Sequence, residues 1–116
     1  MDVTVMTQGL AFPEGPVALS DGAVLVVEIQ RGTLTRVAED GTQSIVAELG
    51  GGPNGAALGP DGHCYICNNG GFEWHKGRDG RVFPGEQPAN YTGGRIERVD
   101  LQTGAVETLY EACNGE

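Results

Sequence analysis

One internal repeat constrains this chain more than any other feature. The segment Phe12-Pro13-Glu14-Gly15-Pro16-Val17-Ala18-Leu19-Ser20-Asp21-Gly22 aligns with Gly52-Pro53-Asn54-Gly55-Ala56-Ala57-Leu58-Gly59-Pro60-Asp61-Gly62 at a constant offset of 40. Strand-like runs follow at the same offset, residues 24–29 and 64–67. A third run repeats at an offset of 62, residues 32–37 against 94–99, so the second copy carries 22 further residues between its second and third runs. A fourth run closes each copy, residues 43–48 and 106–111, after turns at Asp40-Gly41 and Thr103-Gly104.

The twenty glycines and six prolines stand between short apolar runs, as punctuation between strands does. No stretch keeps a helical period, so the fold class is all-β. One antiparallel meander per roughly 40 residues is the size of a propeller blade. The expected organisation is one partial β-propeller domain over residues 1–116. It has blade-like units at about 12–49 and 52–112 and an insertion at 69–93. A blade needs a neighbour on each face, and propellers close with about 4–8 of them. Two blades leave two faces open, and a third unit would start at Asn114-Gly115-Glu116. The chain therefore reads as the N-terminal part of a propeller. The remaining blades are either missing from it or supplied by oligomerisation into a ring. Residues 3–7 read as a ninth strand that completes the last blade from the other terminus.

Seven basic against sixteen acidic residues give a net charge of −9, which repels phosphate backbones and argues against a nucleic-acid partner. No apolar run is long enough for a membrane span. Residues 1–8 lack the basic stretch and apolar block of a signal peptide, so the expected location is cytoplasmic.

In such a meander, connections between blades share one face of the disc with the loops between second and third strands. Glu14 and Asn54 are expected there, each just before a first strand and beside the central channel. Glu14 sits between Pro13 and Gly15-Pro16, in a rigid turn that aims its side chain. A carboxylate in that place suits a hard divalent cation such as calcium, which takes six to eight oxygens. Asn54 could add an amide oxygen, or simply serve Asn-Gly turn chemistry.

The insertion rises from the same face as 25 residues with no evident strand, a length uncommon in loops without a function. It carries Phe72, Trp74, Phe83 and Tyr91, with Lys76, Arg78 and Arg81. It reads as a lid or substrate-contacting flap, with Trp74 and His75 as candidate substrate-lining residues, or as a surface insertion. His63 and His75 lack partners at ligand spacing and are expected at the surface.

Cys64 and Cys67 have the spacing of a metal or redox pair, but residues three apart on a strand point to opposite faces, and no second pair completes a zinc site. Aligned with Val24 and Val27, both read as small hydrophobes of a buried strand. Cys113 reads as a free thiol. The sequon at Asn90-Tyr91-Thr92 has no meaning without secretion.

The Phe-Pro-Glu-Gly-Pro turn, the Val24-Leu25-Val26-Val27-Glu28-Ile29 run and the Pro53-Asn54-Gly55…Pro60-Asp61-Gly62 unit together resemble the start of the gluconolactonase family, which includes regucalcin (the senescence marker protein). The resemblance spans nearly the whole chain, least surely the insertion. It implies a six-bladed propeller with a divalent metal in its central channel, usually calcium; magnesium, manganese and zinc are the alternatives. The family's first metal-binding glutamate maps onto Glu14. Its remaining ligands, two asparagines and an aspartate proposed as the acid/base group, come from later blades, and the Asn-Asp turn that carries one of them does not occur here. Asn54 lies one repeat too early to be equated with it. The carry-over is one metal ligand and no catalytic residue. The implied activity is metal-assisted opening of a sugar lactone by a hydrolase, with a small-molecule lactone as substrate and little activity in the isolated chain.

Two other readings compete. Propellers of NHL repeats share the Pro-x-Gly…Pro-Asp-Gly pattern and serve only as ligand- or protein-binding scaffolds, where Glu14 would be a turn residue. A small free-standing β-domain would be a stable monomer with cooperative unfolding.

Overall fold

Ten strands and no helix make up the computed structural model, which describes residues 1–113. The expected start of a third unit at residues 114–116 lies outside the described residues. In chain order the strands are β1 (Pro13–Ala18), β2 (Val24–Glu28), β3 (Thr33–Val37), β4 (Gln43–Glu48), β5 (Pro53–Leu58), β6 (Cys64–Asn68), β7 (Trp74–Lys76), β8 (Val82–Pro84), β9 (Arg95–Val99) and β10 (Val106–Tyr110). The first sheet has the order β1-β2-β3-β4, and the second β5-β6-β9-β10, with every neighbour antiparallel. These are two meanders of the blade type, and their first three strands keep the offsets of 40 and 62 seen in the sequence. No helix is long and apolar enough to cross a membrane.

Alternation along the strands explains how the sheets pack. Side chains of period two put Leu25 and Val27 of β2 and Leu34 of β3 on one face of the first sheet. That face meets Cys64 and Ile66 of β6 and Val99 of β9. All six are at most 1% exposed. Each buried Leu, Ile or Val contributes roughly 1.5–3 kcal/mol, so this seam holds the two sheets together. At the inner edge β1 lies against β5. A Cβ at Gly15 would stand 3.0 Å from the Ala56 nitrogen and 3.2 Å from the Gly55 Cα. Gly15 also has φ +56°, so a side chain there meets both steric and conformational penalties.

The structure corrects the expectations in four places. Residues 3–7 form no strand: β1 is the first, and Val3 and Val5 are largely exposed. The segment is held by side chains rather than by a backbone ladder. Thr7 Oγ1 donates to the Gly41 carbonyl, and Gln43 Nε2 donates to Thr7 Oγ1 and the Gln8 carbonyl. The insertion is not strandless, because β7 and β8 pair as a hairpin. An Asp79-Gly80 turn closes it, with Gly77 N–H donating to the Arg81 carbonyl and Arg81 N–H to Asp79 Oδ1. Cys67, unlike Cys64, is exposed, because its face of the second sheet has no sheet against it among the described residues. Glu14 and Asn54 do not precede their strands but are the second residues of β1 and β5.

Candidate functional site

One end of the two sheets gathers the β2–β3 turn, the β4–β5 connection, the insertion and the start of β1. The opposite end holds the Asp21-Gly22, Asp40-Gly41, Asp61-Gly62 and Thr103-Gly104 turns. The first end is built from unusual backbone. Phe12 has φ +60°, the one positive value at a non-glycine position among the described residues. Holding an aromatic residue there costs roughly 1–2 kcal/mol, so its surroundings must compensate. The Phe12 carbonyl accepts from Ile29 N–H at 3.0 Å, and its ring packs on Trp74 with centroids 5.1 Å apart. Trp74 in turn meets Phe72 edge to face at 6.0 Å. Through Phe12 the insertion is thus fastened beside Glu14.

Glu14 pairs with Val27 in the register of β1 and β2, and the register shifts between Glu14 and Val17. Bulges of this kind turn side chains out of the regular alternation. A shift in the second sheet falls slightly earlier, between Pro53 and Gly55, around Asn54. Both side chains are exposed.

Two buried polar clusters fix the backbone that leads into these strands. In the first sheet the carboxylate of Glu28, wholly buried, accepts from Ala11 N–H at 2.7 Å and from the hydroxyls of Thr33 and Thr35, while Arg31 Nε lies 3.1 Å away. Burial by itself would raise the Glu28 pKa, but the donors from Thr35, Ala11 and Thr33 and the charge of Arg31 outweigh it. They hold the carboxyl below its usual range. In the second sheet Asn68 takes the place of Glu28, and Glu97 that of Thr35. Asn68 Oδ1 accepts from Gly52 N–H at 2.9 Å, and Asn68 Nδ2 donates to Glu97 Oε1 at 2.9 Å and to the Gly50 carbonyl at 3.0 Å. Arg95 Nε lies 3.2 Å from Glu97 Oε2, and Arg95 also donates to the Leu49 carbonyl. Each cluster grips the chain two or three residues before Glu14 or Asn54, and so sets where those side chains stand.

Sequence reasoning missed both clusters. A signal was present, because Glu28 aligns with Asn68 and Thr35 with Glu97, polar positions recurring in otherwise apolar core strands.

Two cavities adjoin this end. One, of about 320 Å³, lies beneath the insertion and includes Gln30, Trp74 and Arg95 in its walls. The other is a groove of about 600 Å³ along the open face of the second sheet. Asn54, Cys67, Ile96 and Tyr110 line it, and its surface is mainly apolar. It is the face that another blade would cover. His75 lines neither cavity: it is exposed in β7 opposite Phe83. His63, at the far end, does have partners that its sequence spacing hid, with Nδ1 3.5 Å from Asp61 Oδ2 and Nε2 3.7 Å from Asp100 Oδ2. Cys64 is inert, its thiol pushed up to about 11 by burial.

A calcium centre needs six to eight oxygens. Among the described residues no three of His, Cys, Asp and Glu converge to hold a metal ion. Glu14 is the one carboxylate at the start of β1, with Asn54 in the repeat-equivalent place on β5. These residues alone do not fit such a centre, and they supply no acid/base pair. Comparison with curated proteins finds no match. A family model described as SMP-30/Gluconolactonase/LRE-like region matches residues 12–116, beginning at the residue whose strained backbone opens β1 and spanning both sheets. With its two blade-type sheets in repeat, the chain belongs to the SMP-30/gluconolactonase/LRE-like family of β-propellers.

Proposed function

We propose that this chain contributes two blades to a lactonase-type hydrolase of the sugar-lactone-opening kind. The match to the family model over residues 12–116 carries the reading. In it, Glu14 supplies one oxygen to a divalent cation, calcium before magnesium, manganese or zinc. The cation's further ligands and the proton-handling carboxylate belong to other blades, from more chain or from other copies packed on the open face of the second sheet. In a complete ring Glu14 would be one of the groups holding the cation, whose chemistry there would be Lewis-acid polarisation of an ester carbonyl. The part this chain plays is to fix the Glu14 turn through Phe12, Glu28 and Gly15 and to keep Asn54 and Trp74 at the same end. His75, at the rim of the hairpin, is the weakest substrate contact of the set. The three free cysteines suit a cytoplasmic setting, where thiols stay reduced.

A scaffold that binds without catalysis is the second reading. It is favoured by the Pro-x-Gly…Pro-Asp-Gly pattern, which Pro53-Asn54-Gly55 and Pro60-Asp61-Gly62 share with NHL-repeat propellers. Calorimetric titration of the purified chain with calcium separates the two, with lactone hydrolysis followed in parallel. The lactonase reading expects weak calcium binding, on the order of 1 mM, that is lost in Glu14→Gln, and no hydrolysis above the spontaneous rate. Calcium binding that survives Glu14→Gln, or none at all, would favour the scaffold.

A further inference from the structure

The open face of the second sheet carries two thiols, and both line the same groove of about 600 Å³. Cys67 stands on β6 where the first sheet has Val27, which is buried in the seam. Among the described residues no sheet lies over Cys67, and it is exposed. Cys113 is exposed as well, three residues beyond the end of β10. The third cysteine takes no part. Cys64 belongs to the opposite face of β6, is buried in the seam, and has its thiol pushed up to about 11, far from the thiolate that reacts.

The register brings the two exposed thiols within reach of each other. Cys67 pairs with Ile96, and Ile96 with Tyr110. Two strand spacings, about 10 Å, therefore separate Cys67 from the last residue of β10. Glu111, Ala112 and Cys113 follow, and three residues span up to about 10 Å. The chain bends at Glu111, and all three residues join the lining of the groove. A disulfide needs Cα atoms brought only to about 4.4–6.8 Å, so this segment has length to spare.

We propose that Cys67 and Cys113 are a redox pair, a reversible oxidation site that ties residues 111–113 across the open face. The oxidant is a hydroperoxide. The Cys67 thiolate attacks one peroxide oxygen; the S–O bond forms, the O–O bond breaks, and the departing hydroxide takes up a proton to leave as water. The Cys113 thiolate then attacks the sulfenic sulfur; the S–S bond forms, the S–O bond breaks, and a second water leaves. Two electrons pass from the thiol pair to the peroxide, and a thiol reductant returns them. The finished bond lies where a neighbouring sheet would pack, so the oxidised and the covered states exclude one another. The inference stands on the groove and its thiols and does not need the chain to hydrolyse anything.

The full chain, reduced and at low micromolar concentration, is treated with hydrogen peroxide and followed by intact mass and non-reducing peptide mapping. Trypsin leaves Cys67 in residues 37–76, together with Cys64, and Cys113 in residues 99–116. The expected product is a monomer lighter by about 2 Da, with these two peptides joined and fragmentation placing the link on Cys67. Dithiothreitol should restore the original mass. In Cys113→Ser, with an unchanged thermal melt, the Cys67 sulfenic acid has no second thiol to consume it. Dimedone should then trap at least about tenfold more of it than in the wild-type chain. The inference is overturned by the absence of the linked peptide, by a link between Cys64 and Cys67, by disulfide dimers in place of the monomer, or by equal dimedone trapping in both chains.

Discussion

Replacing Glu28 by glutamine tests whether the buried carboxylate holds the start of β1 in place. The wild-type side chain accepts three hydrogen bonds, from Ala11 N–H, Thr33 and Thr35, with Arg31 alongside. The carboxamide keeps the shape but has one acceptor oxygen. With its oxygen kept on the Ala11 N–H, its NH2 faces the threonine pair, whose hydroxyls must rotate to accept from it and so give up their bonds to the carboxylate. Exchanging two hydrogen bonds to a charged acceptor for neutral ones, and losing the charge beside Arg31, costs about 2–3 kcal/mol. A chain of this length has a stability on the order of 6–17 kcal/mol, so the loss is a substantial fraction. With a urea slope of roughly 1–3 kcal/mol per molar, the midpoint should fall by about 1–2 M in a far-UV circular dichroism titration at pH 7. The pH dependence gives a second readout. The folded pKa of Glu28 is depressed, so its contribution is complete above the unfolded value near 4.5 and is lost as pH falls through the folded one. The difference between wild type and Glu28→Gln should accordingly shrink between pH 6 and pH 3. A loss below about 1 kcal/mol at pH 7, or a difference that stays constant down to pH 3, would refute the argument.

Other substitutions probe the same end. Gly15→Ala places a Cβ 3.0 Å from the Ala56 nitrogen at φ +56°, and should lower stability by about 2 kcal/mol; an unchanged melt would show that the inner strands can separate freely. At Phe12 the usual order of small substitutions should invert. Phe12→Gly loses the ring but relieves the positive φ, so it should be about 1 kcal/mol less harmful than Phe12→Ala, which loses the ring and keeps the strain. Thiol alkylation mapped by mass spectrometry should modify Cys67 in the native chain and Cys64 only after unfolding, because Cys64 is buried with its thiol pushed up to about 11. Equal rates at the two would contradict the seam between the sheets.

The repeat made eight of the ten strands legible, because Asp-Gly turns and alternating apolar residues recur at fixed offsets. The β7–β8 hairpin was not, since strands of three residues containing Lys76 and Pro84 carry no alternation long enough to register. Its Asp79-Gly80 turn was nevertheless the same signal that marked the other hairpins. Glu14 stood out through its prolines and glycine. Glu28 did not, because a carboxylate at the end of Val24-Leu25-Val26-Val27 looks like a residue leaving the core for water. Only its partners, Thr33, Thr35 and the Ala11 amide, make its burial tolerable, and a linear chain does not display that meeting.

The two polar clusters are mirror solutions, and this bears on how such units can be recombined. In the first sheet the carboxylate sits on the second strand and faces hydroxyls on the third; in the second sheet the third strand carries the carboxylate and the second an amide. A crossover in the middle of a blade would join Glu28 to Glu97, two buried carboxylates with Arg95 in place of the Thr33 hydroxyl, or Asn68 to Thr35 with no acid at all. Exchange at the connection between blades, residues 49–52, keeps each pair within its own sheet and touches only backbone groups that Asn68 and Arg95 bond there. The unit of inheritance in this chain is therefore the whole meander, and its seams mark where a duplicated copy could be cut and rejoined without breaking the core.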